Sequence, residues 1–285
     1  MNVEQQSAED GNFSFVHLTD THIMAGTKFS PAGEGWELDT HATLTRVLRV
    51  VKGLQPSPAF VIISGDLVSP DLADRSRRPT PEEYAPSYEL LRETLAVLDC
   101  PVHLMIGNHD DRTAFHRVMG NAPPSPDAPH FYSFNHGGYH YVALDTQEPG
   151  KPGGYVDAAQ LEWLREDLAA HQEMPTFVFT HHHPWPIGVD WMDVQNLRNG
   201  EDVAQLLRTH GNVQRILCGH VHQDHEIERE GLTLLTTPAT CFQVSRVSQT
   251  TSIFSGPPGF RLIRVNKQRL ATQVIYLHDD RNDAV

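Results

Sequence analysis

Short apolar stretches that break on a polar residue recur along this chain. Residues 13–19 are apolar and β-prone and stop at Asp20, and a helical spacing of apolar positions (Leu44, Val47, Leu48, Val51) follows within residues 39–54. The order is strand, loop, helix. It repeats with a strand over 59–64, a loop opening at Gly65 and a helix near 82–98, and again with a strand over 101–106 and a loop at Gly107. Further short apolar runs occupy 139–144, 176–180 and 213–218, and residues 157–171 form an amphipathic helix through Leu161, Trp163, Leu164 and Leu168. From residue 226 onward, strand candidates at 232–236, 260–265 and 272–277 alternate with turns and lack helical spacing, so the sheet is expected to turn antiparallel there. Segments 68–81 and 122–129, rich in Pro, Asp and Ser, read as surface loops. With no repeat of roughly 20–50 residues and no low-complexity tract, the pattern predicts one α/β domain over residues 1–285 with a polar tail at 1–12.

Composition narrows the function classes. The 285 residues are 39% hydrophobic and 20% charged, with a mean hydropathy of -0.40, values of a globular chain. No apolar run approaches the roughly 18 residues of a membrane-spanning helix. The net charge of -14 repels polyanions and argues against a long nucleic acid as main partner; a small anionic substrate requires local cations that outweigh this field. Cys100, Cys218 and Cys241 are odd in number and form no CxxC pair, so buried reduced thiols are expected rather than disulfides or a thiolate zinc site. The start, MNVEQQSAEDGN, has neither a basic beginning nor an apolar stretch, so it does not resemble a secretory signal and a cytoplasmic protein is expected. The sequence allows a homo-oligomer without deciding for one.

The 18 histidines change the picture most, because imidazole is both the proton carrier of neutral pH and the commonest metal ligand. Many fall where the apolar runs end: Asp20-Thr21-His22, Gly65-Asp66, Gly107-Asn108-His109-Asp110, His181-His182-His183 and Gly219-His220-Val221-His222. Taken singly, each has an ordinary reading as a turn, a helix cap or a solvated loop. Together they are Asp, Asn and His side chains at the tips of successive strands, and in α/β folds such loops converge on one crevice. Carboxylate, amide and imidazole without thiolate suit Mn, Fe, Zn or Co.

The set DTH, GD, GNHD, HHP and GHVH, in that order, resembles the calcineurin-like metallophosphoesterase superfamily. The LTDTHI start and the GHVHQ motif are most similar to its bacterial class III branch of cyclic-nucleotide phosphodiesterases and glycerophosphodiesterases. The resemblance spans about residues 13 to 240 and implies a four-layer α/β/β/α sandwich of two mixed sheets with a dinuclear metal centre at the sheet edge. It implies that Asp20, His22 and His222 bind one metal, that Asn108, His182 and His220 bind the other, and that Asp66 bridges them. His182 is selected as the histidine two positions before Pro184. Two cations about 3.5–4 Å apart can share one hydroxide for in-line attack on a phosphoryl group. His109 would contact the phosphoryl oxygens together with Asn108 and protonate the leaving alkoxide; His183 is a weaker candidate for substrate contact. The implied function is a metal-dependent phosphodiesterase acting on small phosphodiesters, cyclic nucleotides or glycerophosphodiesters.

One position departs from the family pattern. Many relatives carry an acidic residue three positions after the bridging aspartate, where it orients the catalytic histidine; here that position is Ser69, leaving Asp71 or Asp110 as substitutes. Three rival readings stand beside the main one: a phosphomonoesterase on the same site, a non-catalytic interaction module, and a metallo-β-lactamase-like H-x-H-x-D-H motif at residues 220–225. The last leaves Asp20, His22, Asp66 and Asn108 without a role. Loops 27–38, 68–81 and 244–259, the last a candidate lid, are placed to roof the site, and Trp36, Phe242 and Phe254 either stack on a base or pack within the loops.

Overall fold

In β1 (Asn12–Leu18) the side chains alternate between two apolar neighbourhoods: Val16 and Leu18 pack with helices, whereas Phe15 points the other way into a cluster rich in aromatic residues. This is the period of two of a strand buried on both faces, and it sets the layering of the whole fold. The computed structural model describes residues 12–31, 34–120, 124–246, 252–266 and 269–278. After β1 come α1 (Thr40–Lys52), β2 (Val61–Ser64), a 3-10 turn (Pro70–Leu72), α2 (Pro81–Leu95), β3 (Val102–Met105), α3 (Arg112–Met119), β4 (Tyr132–His136) and β5 (Tyr139–Ala143). The chain continues through α4 (Ala158–Ala170), β6 (Thr176–Thr180), α5 (Asp190–Asp193), α6 (Gly200–His210), β7 (Val213–Cys218), β8 (Glu226–Arg229) and β9 (Leu232–Thr236). It closes with β10 (Gln243–Val244), β11 (Ile253–Phe254), β12 (Gly259–Asn266) and β13 (Arg269–Tyr276).

The strands form two mixed sheets. The first has the order β13-β12-β1-β2-β3, with β1, β2 and β3 parallel and β12 and β13 antiparallel. The second has the order β4-β5-β6-β7-β9-β8, parallel at its centre and antiparallel at both edges. Leu44, Val47, Tyr88, Leu91 and Phe115 bring α1, α2 and α3 onto the outer face of the first sheet. Leu164, Leu168, Val203 and Leu207 do the same for α4 and α6 on the second. Between the sheets, Phe15 stacks on Phe60 at 4.9 Å and meets Phe177 edge-on at 5.3 Å, so the inner layer is filled largely by rings in their preferred offset and T-shaped contacts. The result is the α/β/β/α sandwich with two mixed sheets that the motif order implies.

Local sequence fixes the helix starts. Asp39, Asp111 and Asp157 each accept the backbone N–H three residues on and so cap α1, α3 and α4, worth about 0.5–2 kcal/mol apiece. The periodicity locates α1, α2 and α4 to within a few residues but misses α3, α6 and β4. The eight residues of α3 are too few to show a period. The apolar side of α6 is carried by the short cluster Val203, Ala204, Leu206 and Leu207. In β4 most side chains are half-buried, which dilutes the strand pattern. The 1–12 tail falls, apart from Asn12, outside the described residues. Among the described residues no helix is long and apolar enough to cross a membrane.

Several histidines serve the core rather than the site. His103 stacks on Phe134 at 3.7 Å; burial, reinforced by His136, holds it down at about 4, and burial with His116 does the same for His130. Their folded values lie below the unfolded value of 6.5, so unfolding takes up protons between these limits and stability falls as pH drops through that window. The urea midpoint of the metal-free chain is expected to be lower at about pH 5 than at about pH 7.5, and His103→Phe, which keeps a stacked ring, should narrow the difference.

Candidate metal centre

The loops that follow β1, β2 and β7 are built on strained backbone. Six non-glycine residues among those described have positive φ: Asp20 (52°), His22 (43°), Asp66 (49°), His220 (67°), His222 (53°) and Glu230 (50°). Five of them lie in the strand-end motifs. A left-handed conformation costs an L-residue roughly 1–2 kcal/mol, and such outliers concentrate where the surrounding structure holds side chains for function. Here the surroundings are visible: Asp20 N–H donates to the Gly65 carbonyl at 3.0 Å and His22 N–H to the Asp66 carbonyl at 2.9 Å, extending the pairing of β1 and β2 into the loops. The glycines of the motifs make room. A Cβ on Gly65, itself at φ +103°, would lie 2.7 Å from His181 Nδ1 and 2.8 Å from Gly107 N, and one on Gly219 would overlap the Thr19 hydroxyl.

Two clusters of ligand-type atoms result, with one carboxylate between them. In the first, His222 Nε2 lies 3.2 Å from both His22 Nε2 and Asp20 Oδ1. The far nitrogens of these rings are engaged elsewhere: His222 Nδ1 donates to the Phe242 carbonyl at 2.7 Å and His22 Nδ1 meets Ser69 Oγ at 2.5 Å. In the second, His181 donates through Nδ1 to the Ser64 carbonyl at 2.9 Å and aims Nε2 at Asn108 Oδ1, 3.2 Å away; the His220 ring lies 5.2 Å from that of His181. Asp66 Oδ2 sits between the clusters, 3.6 Å from His22 Nε2 and 3.3 Å from His181 Nε2.

The donor set fits transition-metal cations. Asp20 Oδ1 and His220 Nε2 are buried without a hydrogen-bond partner, and His181 and His222, whose Nδ1 atoms face carbonyls, turn Nε2 toward carboxylate oxygens. A cation resolves both features. Burial alone would raise the Asp20 and Asp66 carboxyls, but His222 and His22 beside Asp20, and His181 and His109 beside Asp66, hold both well below the usual carboxylate range. Burial drives His220 well below the ordinary imidazole value, with His182 adding to it. Cys241 Sγ lies within 4.8 Å of the His22 and His222 ligand atoms, yet burial pushes its thiol up and keeps it protonated, as expected of a buried reduced cysteine. Cys218 is buried likewise, and Cys100 is half-exposed.

The three histidines of the triplet are held differently. The Nδ1 of His182 is engaged by Thr146 Oγ1 at 2.7 Å and its Nε2 by the Pro152 carbonyl at 3.1 Å. Although His182 lies within 4.8 Å of the His181 and His220 ligand atoms, both its nitrogens are committed, whereas His181 faces Asp66 and Asn108. β6 stops at Thr180, so His181 is the first residue beyond the strand, and its Nε2 lies 3.3 Å from Asp66 Oδ2. His183 lies deeper than its two neighbours' partners in the cavity. It is fully buried, its Nε2 lies 3.4 Å from Asp193 Oδ1, and it packs behind His220 without lining the cavity.

The Ser69 departure is resolved by its neighbours. Ser69 orients His22, as above, while Asp71, carried inward on the 3-10 turn, places Oδ2 2.6 Å from His109 Nδ1. The backbone N–H of His109 donates to Asp66 Oδ1 at 2.8 Å. Burial lowers the His109 imidazole, but Asp66 and Asp71 outweigh it and the net shift is upward. Asp110 is occupied differently: it accepts the N–H groups of Gly107, Leu67 and Val68 and the Tyr88 hydroxyl, locking the asparagine loop to the aspartate loop. The 220–225 rival motif does not assemble, since Asp224 pairs with Arg246 and Tyr276, and His225 bonds Gln223.

A cavity of about 470 Å3 opens over both clusters. Arg75, Arg77 and Arg78 from the 68–81 loop line one side and Lys151 another, the local cations that a net-negative chain needs to admit an anion. Val244 and Ile253 of the 244–259 segment also line it, with 247–251 outside the described residues, whereas none of the described residues of the 27–38 loop lines it. Phe242 packs at 4.2 Å on Phe29, which in turn meets Trp36, and backs the His22 and His222 rings. Phe254 is exposed and does not line the cavity. Trp191 does line it, and its four-residue helix leaves no periodic signal in the sequence.

Residues 13–224 match the calcineurin-like phosphoesterase family, and the chain belongs to it. Among its relatives, 3',5'-cyclic adenosine monophosphate phosphodiesterase CpdA of Pseudomonas aeruginosa is 30% identical over 95% of this chain and 93% of that protein. CpdA of Escherichia coli K12 is 28% identical over 96% and 93%. A probable glycerophosphodiester phosphodiesterase, GpdQ of Arcobacter nitrofigilis, is 28% identical over 92% of both. A dimetal phosphatase from Danio rerio shares the fold, with a TM-score of 0.67 at 14% identity over 92% of this chain and 99% of its own.

The close approach at Gly65 gives a direct test. Gly65→Ala is expected to cost about 1–3 kcal/mol in urea unfolding through overpacking and strain. Gly53→Ala, at φ -81° and 3.5 Å from its neighbours, should stay within about 1 kcal/mol.

Proposed function

We propose that the chain is a dinuclear-metal phosphodiesterase acting on small phosphodiesters, cyclic nucleotides or glycerophosphodiesters. The observation that carries this reading is the buried Asp66 carboxylate lying between two imidazole clusters, 3.6 Å from His22 and 3.3 Å from His181. Asp20, His22 and His222 would hold one ion, Asn108, His181 and His220 the other, and Asp66 would touch both, with His181 taking the place of His182. The nitrogen and oxygen donors suit Fe, Mn, Zn or Co.

Two such cations, when bound, activate solvent at neutral pH and clamp a phosphoryl group for in-line displacement. The chain's own residues supply the remainder. Arg75, Arg78 and Lys151 at the cavity rim draw in an anion. Asp71 accepts the Nδ1 proton of His109 and thereby aims Nε2 at the substrate. A proton from that Nε2 passes to the leaving alkoxide, a positioned-acid step worth about 10² to 10⁴ in rate. A cavity of about 470 Å3 matches a nucleotide-sized molecule rather than a polymer. Diesters are favoured over monoesters because the relatives named above carry cyclic-nucleotide and glycerophosphodiester activities over nearly their full length.

Elemental analysis of the purified protein is expected to find about two transition-metal ions per chain. His181→Ala should lose about one ion, while His182→Ala keeps both; the reverse would restore the proline-counted assignment. Asp71→Asn should lower kcat about 10–100-fold with the metal retained. A panel of 3′,5′-cyclic AMP, 2′,3′-cyclic AMP, glycerophosphoethanolamine and a phosphomonoester under one metal condition ranks the substrates, and a preference for the monoester would overturn the diesterase reading.

A further inference from the structure

One polar side chain stands in the inter-sheet layer close beneath the site. His17 follows Phe15 on the inward face of β1, is fully buried, and meets Phe179 edge-on at 5.5 Å. Both its nitrogens are bonded: Nε2 to Ser64 Oγ at 2.7 Å and Nδ1 to Thr237 Oγ1 at 2.7 Å. Ser64 Oγ donates to Thr19 Oγ1 at 3.0 Å, and Thr19 Oγ1 donates to Asp20 Oδ2 at 2.7 Å. All four of His17, Ser64, Thr19 and Thr237 are inaccessible to solvent.

The direction of every proton in this chain follows from its end. An ionised carboxylate only accepts, so Thr19 donates to Asp20. A hydroxyl has one proton, so Thr19 accepts from Ser64 and Ser64 accepts from His17. His17 therefore carries its proton on Nε2 and presents a lone pair on Nδ1, which the Thr237 hydroxyl fills. Such a one-way chain polarises each bond in the same sense and strengthens it. Burial, with the Arg261 charge adding to it, holds His17 down at about 3, so the ring stays neutral as the relay requires.

We propose that His17 is a positioning residue for the Asp20 half of the metal centre, acting through Ser64 and Thr19. This rests on Asp20 being a metal ligand. Asp20 Oδ2 receives the Thr19 hydroxyl and the His220 N–H at 2.9 Å, which turns the partnerless Oδ1 toward His22 and His222. Thr237 lies just past β9 in the second sheet, while His17, Thr19 and Ser64 belong to the first, so the relay also fixes the register of one sheet against the other behind this ligand. The relay's hydroxyl ends on Asp20, and only the His220 N–H on the same oxygen leads to the other cluster, so its loss falls more heavily on the Asp20 ion. Partners of metal ligands typically change affinity by about 10–100-fold.

Titration of the metal-free protein with Mn, followed by calorimetry, separates the two sites. His17→Phe, which keeps the ring contact with Phe179, and Thr19→Val, which keeps the shape but removes the hydroxyl, are each expected to weaken one site about 10–100-fold and the other by clearly less. His17→Gln, with one donor and one acceptor, should recover part of the loss. Equal weakening of both sites, or wild-type affinity at both, overturns the relay. Nitrogen NMR of the wild-type histidines decides independently of how well the variants fold: an Nε2–H tautomer at His17 supports the relay and an Nδ1–H tautomer refutes it. If the wild-type protein itself binds no ion, the proposed function fails rather than the relay.

Discussion

Asp20 and Asp66 are buried carboxylates whose nearest cation-capable neighbours are imidazole nitrogens, His22, His181 and His222, at 3.2–3.7 Å. Burying two ionised acids costs several kcal/mol each unless opposite charge and donors surround them. Their direct donors here are the Thr19 hydroxyl and the N–H groups of His109 and His220, which satisfy one oxygen of each and leave the other turned to the rings. The rest of the architecture follows from holding those two free oxygens in place. Strand ends are bent into left-handed conformations, glycines are stripped of Cβ where His181 and Thr19 pass, and the spare nitrogens of the rings are tied to carbonyls and to Ser69.

The sandwich provides what a single sheet cannot. β1, β2 and β3 deliver the acids, Asn108 and His22, while β6 and β7 deliver His181, His220 and His222. Each sheet presents the carboxyl ends of its parallel strands at the same edge, and the aromatic layer between Phe15, Phe60, Tyr141 and Phe177 sets their spacing. A histidine in that layer, His17, is tolerated because every one of its hydrogen-bonding atoms is used, the condition under which a polar group in a core is not a defect.

Much of this was legible in the sequence, and the failures have physical causes. The strand-loop-helix order and the identity of the motif residues could be read because apolar runs stop on ligand-type side chains, a pattern that survives ignorance of the fold. Which of three adjacent histidines faces Asp66 is not legible there, since a proline fixes its own backbone and not the direction of the ring two positions earlier; in the fold the ring facing Asp66 is His181. The partner of His109 was narrowed to Asp71 or Asp110, and only the 3-10 turn at residues 70–72 separates them, bringing one carboxylate to the ring while the other is consumed by backbone N–H groups. His17 gave no signal, because its role depends on a hydroxyl from the opposite sheet, more than two hundred residues away.

That the ligand-type side chains come from both sheets has a mechanical consequence. Any cation gripped from the two sides at once would act as a clasp between the two sheets at this edge of the sandwich. Because such an ion would bind only the folded arrangement, its affinity and the resistance of the two sheets to parting would rise together.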